Sequence, residues 1–252
     1  MKVKKPDGIF SASMVSQLCA EGTGKTRQKA ILNCVLKELG LYIDFDNEYM
    51  KHGRANEPNA FKHTKKKYAS LGKFRYVSKD FIFINDNFGA TPDIILNSKI
   101  PCDIKCPKLE TFEKLEVIRK MLKAYVYQLQ SQMMAMKAPY AILFNYLIKP
   151  EKWGEDDWQD YPFEDENDRS FEIVLEEDKI IQQEILDAVE SATKERKLIK
   201  AKVLQGLNNE ISFRQRRDLT HSGMVIRPLS DASRIARAEN VFSFDKQLFF
   251  YN

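Results

Sequence analysis

Asp93, Asp103 and Lys105 are the residues of this 252-residue chain whose types and spacing can do chemistry. They stand in "GATPDIIL" (89–96) and "CDIKCP" (102–107), with the turn-forming "NSK" between them. Side chains alternate faces along a strand, so Asp103 and Lys105 share one face of their segment. Cys102, Ile104 and Cys106 share the other, which is apolar. A hairpin turn centred on Ser98 sets position 93 opposite position 103. Two carboxylates facing each other across neighbouring strands destabilise a sheet. A bound cation removes that penalty, and all-oxygen ligands suit Mg²⁺ or Mn²⁺ rather than zinc. The bland alternative is an Asp93 that ends a turn, with Asp103 and Lys105 on an exposed strand face. The combination of Pro-Asp, ten residues and D-x-K on adjoining strands favours the site.

Glu57 is a candidate third acid. Met50, Gly53, Glu57, Phe61, Thr64 and Tyr68 fall at helical spacing, which puts Glu57 inside a mostly apolar stripe. A buried carboxylate must be paired, protonated or metal-bound. Pro58 either kinks this helix or belongs to the first turn of one starting near Asn56. A salt bridge to Arg54 is the structural alternative for Glu57.

The elements that must position these residues are legible in outline. A helix covers about 27–39 and ends at Gly40, and another runs from about Met50 to Tyr68. Strand-like runs at 74–77, 81–84, 90–96 and 102–106, separated by turn clusters, predict an antiparallel meander. A long helix at about 113–137 carries the apolar stripe Leu122, Val126, Leu129, Met133 and Met136. Tyr125, Gln128 and Gln132 form a polar strip beside that seam and can reach the sheet edge. Residues 139–148 read as a buried strand, 171–175 as another strand and 177–205 as a long helix. The expectation is an α/β (α+β) domain over 1–205. Residues 206–252 form an extension with a basic knot at Arg214, Arg216 and Arg217 and an aromatic end.

Other motifs carry less. "CAEGTGKT" (19–26) ends like a phosphate-binding P-loop, but Cys19 stands where the first glycine belongs and no strand precedes it. What remains is a basic turn with Lys25, Arg27 and Lys29. Four cysteines without C-x₂-C spacing read as core thiols rather than iron–sulfur ligands. His52, His63 and His221 are too scattered for a zinc site. Residues 1–75 hold fifteen Lys and Arg against seven Asp and Glu, whereas 150–178 hold two against thirteen. A basic half invites a polyanion. Arg54, Lys65, Lys66, Lys67, Lys73 and Arg75 add to that half. No apolar run is long enough to span a bilayer, and the start lacks a signal-peptide core. With so few cysteines, an intracellular, cytoplasmic protein is expected.

Pro92-Asp93 with Asp103-Ile104-Lys105 resembles the P-D…(D/E)-x-K nuclease motif. "FSASMV" (10–15), "GRANEPNAF" (53–61), "GATPDIIL", "CDIKCP", "YVYQLQSQMMAM" (125–136) and "FNY" (144–146) resemble, in order, the blocks of the lambda-exonuclease-like viral recombination nucleases. The likeness covers about residues 5 to 148. It implies a P-D…(D/E)-x-K nuclease core, a central mixed sheet flanked by helices. It also implies a Mg²⁺-dependent (Mn²⁺-tolerant) exonuclease that digests one strand of linear duplex DNA 5′ to 3′. The 3′ overhangs would feed strand annealing, with a homotrimeric ring and a single-strand annealing protein as partners. Asp93, Asp103 and the Ile104 backbone carbonyl would be metal ligands, and Glu57 a further ligand. Lys105 would orient or help deprotonate the attacking water, and Gln128 would hold that water or the lysine. Ser11, Ser13 and Lys5 lie where this family contacts the DNA end and its 5′-phosphate, and Lys25, Arg27 and Arg54 are further phosphate-contact candidates. Position 103 is Asp where the lambda-type enzyme has Glu, a change the wider superfamily accepts. A restriction- or repair-type endonuclease and a catalytically dead DNA-binding scaffold are the alternatives.

Overall fold

The structure, a computed structural model, describes residues 4–20, 25–42, 48–77, 80–107, 112, 123–147 and 169–220. The strands are β1 (Phe10–Ser11), β2 (Phe74–Tyr76), β3 (Ile82–Asn85), β4 (Phe88–Ala90), β5 (Ile94–Leu96), β6 (Ile100–Lys105), β7 (Tyr140–Tyr146) and β8 (Ser170–Glu176). The helices are α1 (Val15–Leu18), α2 (Lys25–Glu38), α3 (Glu48–Lys67), α4 (Lys123–Met136) and α5 (Lys179–Thr220). A 3-10 turn, Ala12–Met14, joins β1 to α1.

The central sheet has the order β2-β5-β6-β7-β8. It is mixed: β6 and β7 run parallel, and the other pairs are antiparallel. Two parallel neighbours need a crossover, and α4 lies in that connection. Helices flank the sheet, so the architecture is the α/β one that the sequence implies. The predicted meander is corrected. Residues 90–96 form two strands in two sheets, because β4 pairs with β1 and β3 while β5 pairs with β2 and β6. Pro92, which has no N–H for a ladder, sits at the break. Gly89 is required where β3 crosses β4, since a Cβ there would lie 2.4 Å from the Ile82 carbonyl oxygen.

Helix ends follow local chemistry. α2 stops at Gly40 (φ 66°), where Leu41 N–H donates to Leu36 O at 2.8 Å and Gly40 N–H to Lys37 O at 3.1 Å. Asp178 caps α5 by accepting from the Ile180 and Ile181 amides at 2.9 and 3.1 Å. α3 includes Pro58 in its interior rather than starting near Asn56. Packing of Ala60 and Phe61 on the sheet-side core offsets the hydrogen bond that Pro58 cannot make. α5 continues without a break past residue 205, so the extension begins as helix. The rest of that extension and the acidic segment 150–168 lie outside the described residues, as do residues 113–122 of the predicted long helix.

Two cores meet on α4. Leu129 and Met133 pack on the sheet with Ile94, Cys102, Ile142 and Phe144. Tyr127 packs on Phe10, Leu18, Ile31, Ile185 and Val189. The remaining strip of α4, Gln128 and Gln132, faces the carboxylates. No described helix is long and apolar enough to cross a membrane.

Candidate active site

The β5–β6 hairpin sets the site. Its register is Ile94↔Cys102, Ile95↔Pro101 and Leu96↔Ile100, centred on Ser98 as the spacing requires. Asn97 and Ser98 take φ of 51° and 62°, the left-handed pair of a type I′ turn. Extended by one residue, this register places Asp93 opposite Asp103. Asp93 Oδ2 accepts the Ile104 N–H at 2.8 Å. A strand residue points its N–H and C=O to the same side, so the Ile104 carbonyl opens toward Asp93 as well.

Asp103 is 1% exposed. Its Oδ1 accepts two amide donors one helical turn apart, Gln128 Nε2 and Gln132 Nε2, each at 2.9 Å. Lys105 Nζ forms an ion pair with Asp103 Oδ2. It also donates to Gln128 Oε1 at 3.3 Å and lies 5.2 Å from the centre of the Tyr125 ring. The predicted polar strip of α4 thus meets the predicted strand face of β6.

The charges are strongly coupled. Burial pushes the Asp93 carboxyl well above its ordinary range, and the neighbouring charges of Asp103 and Glu57 push the same way. Lys105 and the Ile104 amide offset this in part. For Lys105, burial works against the ammonium, but the charges of Asp103 and Asp93 outweigh it and raise its pKa. In the cation-free protein Lys105 is therefore the charge that holds two acids together.

The residues fit a hard divalent cation. Asp103 Oδ2 is buried and accepts no hydrogen bond of good geometry, although the Lys105 ammonium lies against it. Asp93, Asp103 and the Ile104 carbonyl supply oxygens only, and Mg²⁺ typically takes one or two carboxylates and keeps several waters. Among the described residues no group of three or more His, Cys, Asp or Glu side chains converges as a metal cluster. Glu57 is half-buried rather than enclosed, and its Oε1 accepts the Tyr76 hydroxyl at 2.6 Å. Its charge reaches Asp93 and Cys106.

The other candidates separate. Ser11 ends β1 opposite Gly89, and its Oγ lies 3.1 Å from Ser13 Oγ in the turn that packs on α4. Lys5 lies by Cys34 and Lys37 of α2, where burial lowers its pKa. Lys25 and Arg54 are exposed. Arg27 is a correction: it is 9% exposed and bonded inside the fold. Its guanidinium donates to Leu18 O, to Ser191 Oγ at 3.0 Å and to Glu195 Oε1 at 2.7 Å. Packing of α5 on α2 turned a predicted phosphate contact into a tie. Lys67 likewise donates to Ser170 O at 2.5 Å. His63 meets Ser170 Oγ at 2.8 Å. The four cysteines are free thiols, and burial pushes Cys19, Cys102 and Cys106 up to about 12, as for unreactive core thiols.

Gln132, on the predicted strip one turn past Gln128, holds Asp103 directly. Two features escaped the sequence reading. Tyr76 anchors Glu57 across two elements, with no sequence signal. Asn145 is the lone amide in the apolar run "AILFNYLI", and it pairs in register with Lys105.

No protein-family model matches the sequence, and no curated protein matches it. Solved structures do match the fold. The alkaline exonuclease of Laribacter hongkongensis aligns with a TM-score of 0.64 and 20% identity, over 81% of this chain and 95% of that one. The same enzyme in complex with dAMP gives 0.64 and 19%. A phage-related exonuclease from Haemophilus somnus 129PT aligns at 0.62 and 18% identity, over 80% of this chain and 96% of that one. The chain therefore carries the fold of the alkaline and phage-related exonucleases, as the order of its motif blocks implies.

Proposed function

We propose that the chain is a Mg²⁺-dependent DNA exonuclease that degrades one strand of linear duplex DNA from its 5′ end. The observation that carries this is the Asp93–Asp103 pair with Lys105 beside it and Gln128 above it. The matching fold is described in other organisms as exonuclease, and one such enzyme was captured with dAMP, a deoxynucleoside monophosphate. The 3′ overhangs left behind are substrates for strand annealing, which makes an annealing protein and a ring-shaped homotrimer the proposed partners.

A phosphodiester resists attack because its own charge repels the nucleophile. A divalent cation, when bound by Asp93, Asp103 and the Ile104 carbonyl, supplies charge neutralisation and an activated water. Gln128 and Gln132 fix the Asp103 carboxylate in one orientation, so that Oδ2 faces the site. Lys105 brings a further positive charge to the reacting phosphate, held in place by Gln128 Oε1 and the Tyr125 ring. Glu57, tethered by Tyr76, adds negative charge at the rim of the site and is the proposed outer ligand. Ser11 and Ser13, on the turn seated on α4, offer hydroxyls to a 5′-phosphate. Lys5, Lys25 and Arg54 add cations for backbone phosphates.

The test is digestion of linear duplexes labelled at the 5′ or the 3′ end, beside a covalently closed circle, with and without Mg²⁺. Early release of the 5′ label as mononucleotide and an intact circle are expected. Cutting of the circle would instead make the protein an endonuclease, and release of the 3′ label first would reverse the polarity.

A further inference from the structure

We propose that Asn145 is a positioning residue for Lys105: its side-chain amide holds the Lys105 ammonium toward the reacting phosphate through one buried water. This rests on the nuclease reading of Lys105 above. β6 and β7 are parallel, and Lys105 is the register partner of Asn145, so the two side chains leave the same face of the sheet. Asn145 is 0% exposed, and among the described residues neither Oδ1 nor Nδ2 has a hydrogen-bond partner. Buried polar groups in folded proteins are almost always paired. The positions around it give no reason for an amide: Leu143 and Leu147 flank it on the same face of the chain, and Phe171 is its partner on β8. Lys105 is the polar neighbour in register.

The deficits are complementary. An ammonium has three N–H donors; Gln128 Oε1 takes one, and the ion pair with Asp103 engages another side of the group. Asn145 holds an unused acceptor one strand away. No direct bond joins them, and a water between them finds a donor at Nζ, an acceptor at Oδ1 and a donor at Nδ2. Gln130, a buried amide on α4, shows what a structural role looks like. It donates to Glu176 O at 2.8 Å, and its oxygen accepts from Asp178 N–H at 3.1 Å and Gln182 Nε2 at 3.2 Å. Among the described residues nothing comparable satisfies Asn145.

Asn145→Leu separates the roles. Leucine has no polar group to desolvate in this apolar surrounding, so Tm stays equal or higher, while kcat on linear duplex falls by about tenfold to a hundredfold with KM unchanged. In a Lys105→Ala background the same substitution has no further effect on kcat, because Asn145 acts through Lys105. In the cation-free protein the ¹⁵Nζ resonance of Lys105, assigned by its loss in Lys105→Ala, moves in Asn145→Leu. A fall in Tm with kcat unchanged, or an unmoved Nζ resonance, overturns the proposal. If the wild type releases no nucleotide at all, the nuclease reading fails separately, and the resonance alone decides whether Asn145 is linked to Lys105.

Discussion

The junction around Arg27 and the site around Asp103 are both largely buried and polar, and they are built in opposite ways. Arg27 joins α2 to α5 and to the end of α1, and each of its three partners is a ready acceptor: Leu18 O, Ser191 Oγ and Glu195 Oε1. Asp103 sits between a second acid and a lysine; among the described residues Gln132 Oε1 and both polar atoms of Asn145 have no hydrogen bond, and Asp103 Oδ2 has the Lys105 ammonium against it. A cluster whose task is cohesion satisfies itself. The cluster to which we assign the chemistry keeps like charges together and polar capacity unspent, at a cost in stability that the surrounding core offsets. Stability and activity should therefore respond in opposite senses at the two places.

The largest expected effect is at Asp103. Asp103→Asn lowers nucleotide release by about a thousandfold, the upper range for loss of one preorganised electrostatic group. Circular dichroism melts check that the variant stays folded. Lys105→Ala costs about a hundredfold in kcat, the scale of a single acid–base group, and leaves DNA binding by fluorescence anisotropy in place. Near-normal turnover would remove Lys105 from the mechanism. Arg27→Leu breaks the comparison from the other side. It destabilises the fold by about 2 kcal/mol, less than a fully enclosed pair, because the Glu195 side chain is 39% exposed. Urea titration reads that loss, and kcat per folded molecule stays unchanged.

The smallest effect is a pH slope. The folded state raises the Asp93 pKa, so it favours the protonated form. That contribution is fully present below the unfolded value near 4 and is lost as pH rises through the folded pKa. The Tm of the cation-free protein accordingly declines above about pH 4, as the unfolded chain gives up the Asp93 proton that the folded state retains. Asp93→Asn flattens that decline, and an unchanged slope would show that burial and its neighbours do not raise the Asp93 pKa.

The placing of the two acids and Lys105 was legible because it depends on local rules. Strand alternation set Asp103 and Lys105 on one face, and a turn centred on Ser98 fixed what lies opposite. The helix strip at Tyr125, Gln128 and Gln132 followed from helical spacing. What stayed hidden depends on contacts between distant segments. Arg27 looked like a phosphate ligand until α5, 168 residues away, supplied Glu195. The break of 90–96 into two strands follows from which sheet each half joins, and alternation alone cannot see that. Asn145 hid in an apolar run because its significance lies in what it does not bond.

The most direct measurement pairs activity with stability in the same samples. Wild type and Asp93→Asn are assayed for Mg²⁺-dependent release of nucleotides from a linear duplex, and melted without cation at neutral pH. The account predicts brisk release by the wild type, near-complete loss in Asp93→Asn, and a Tm for the variant at or above that of the wild type. Release at the wild-type rate by Asp93→Asn would contradict it, since the two acids would then not hold the cation that the chemistry needs.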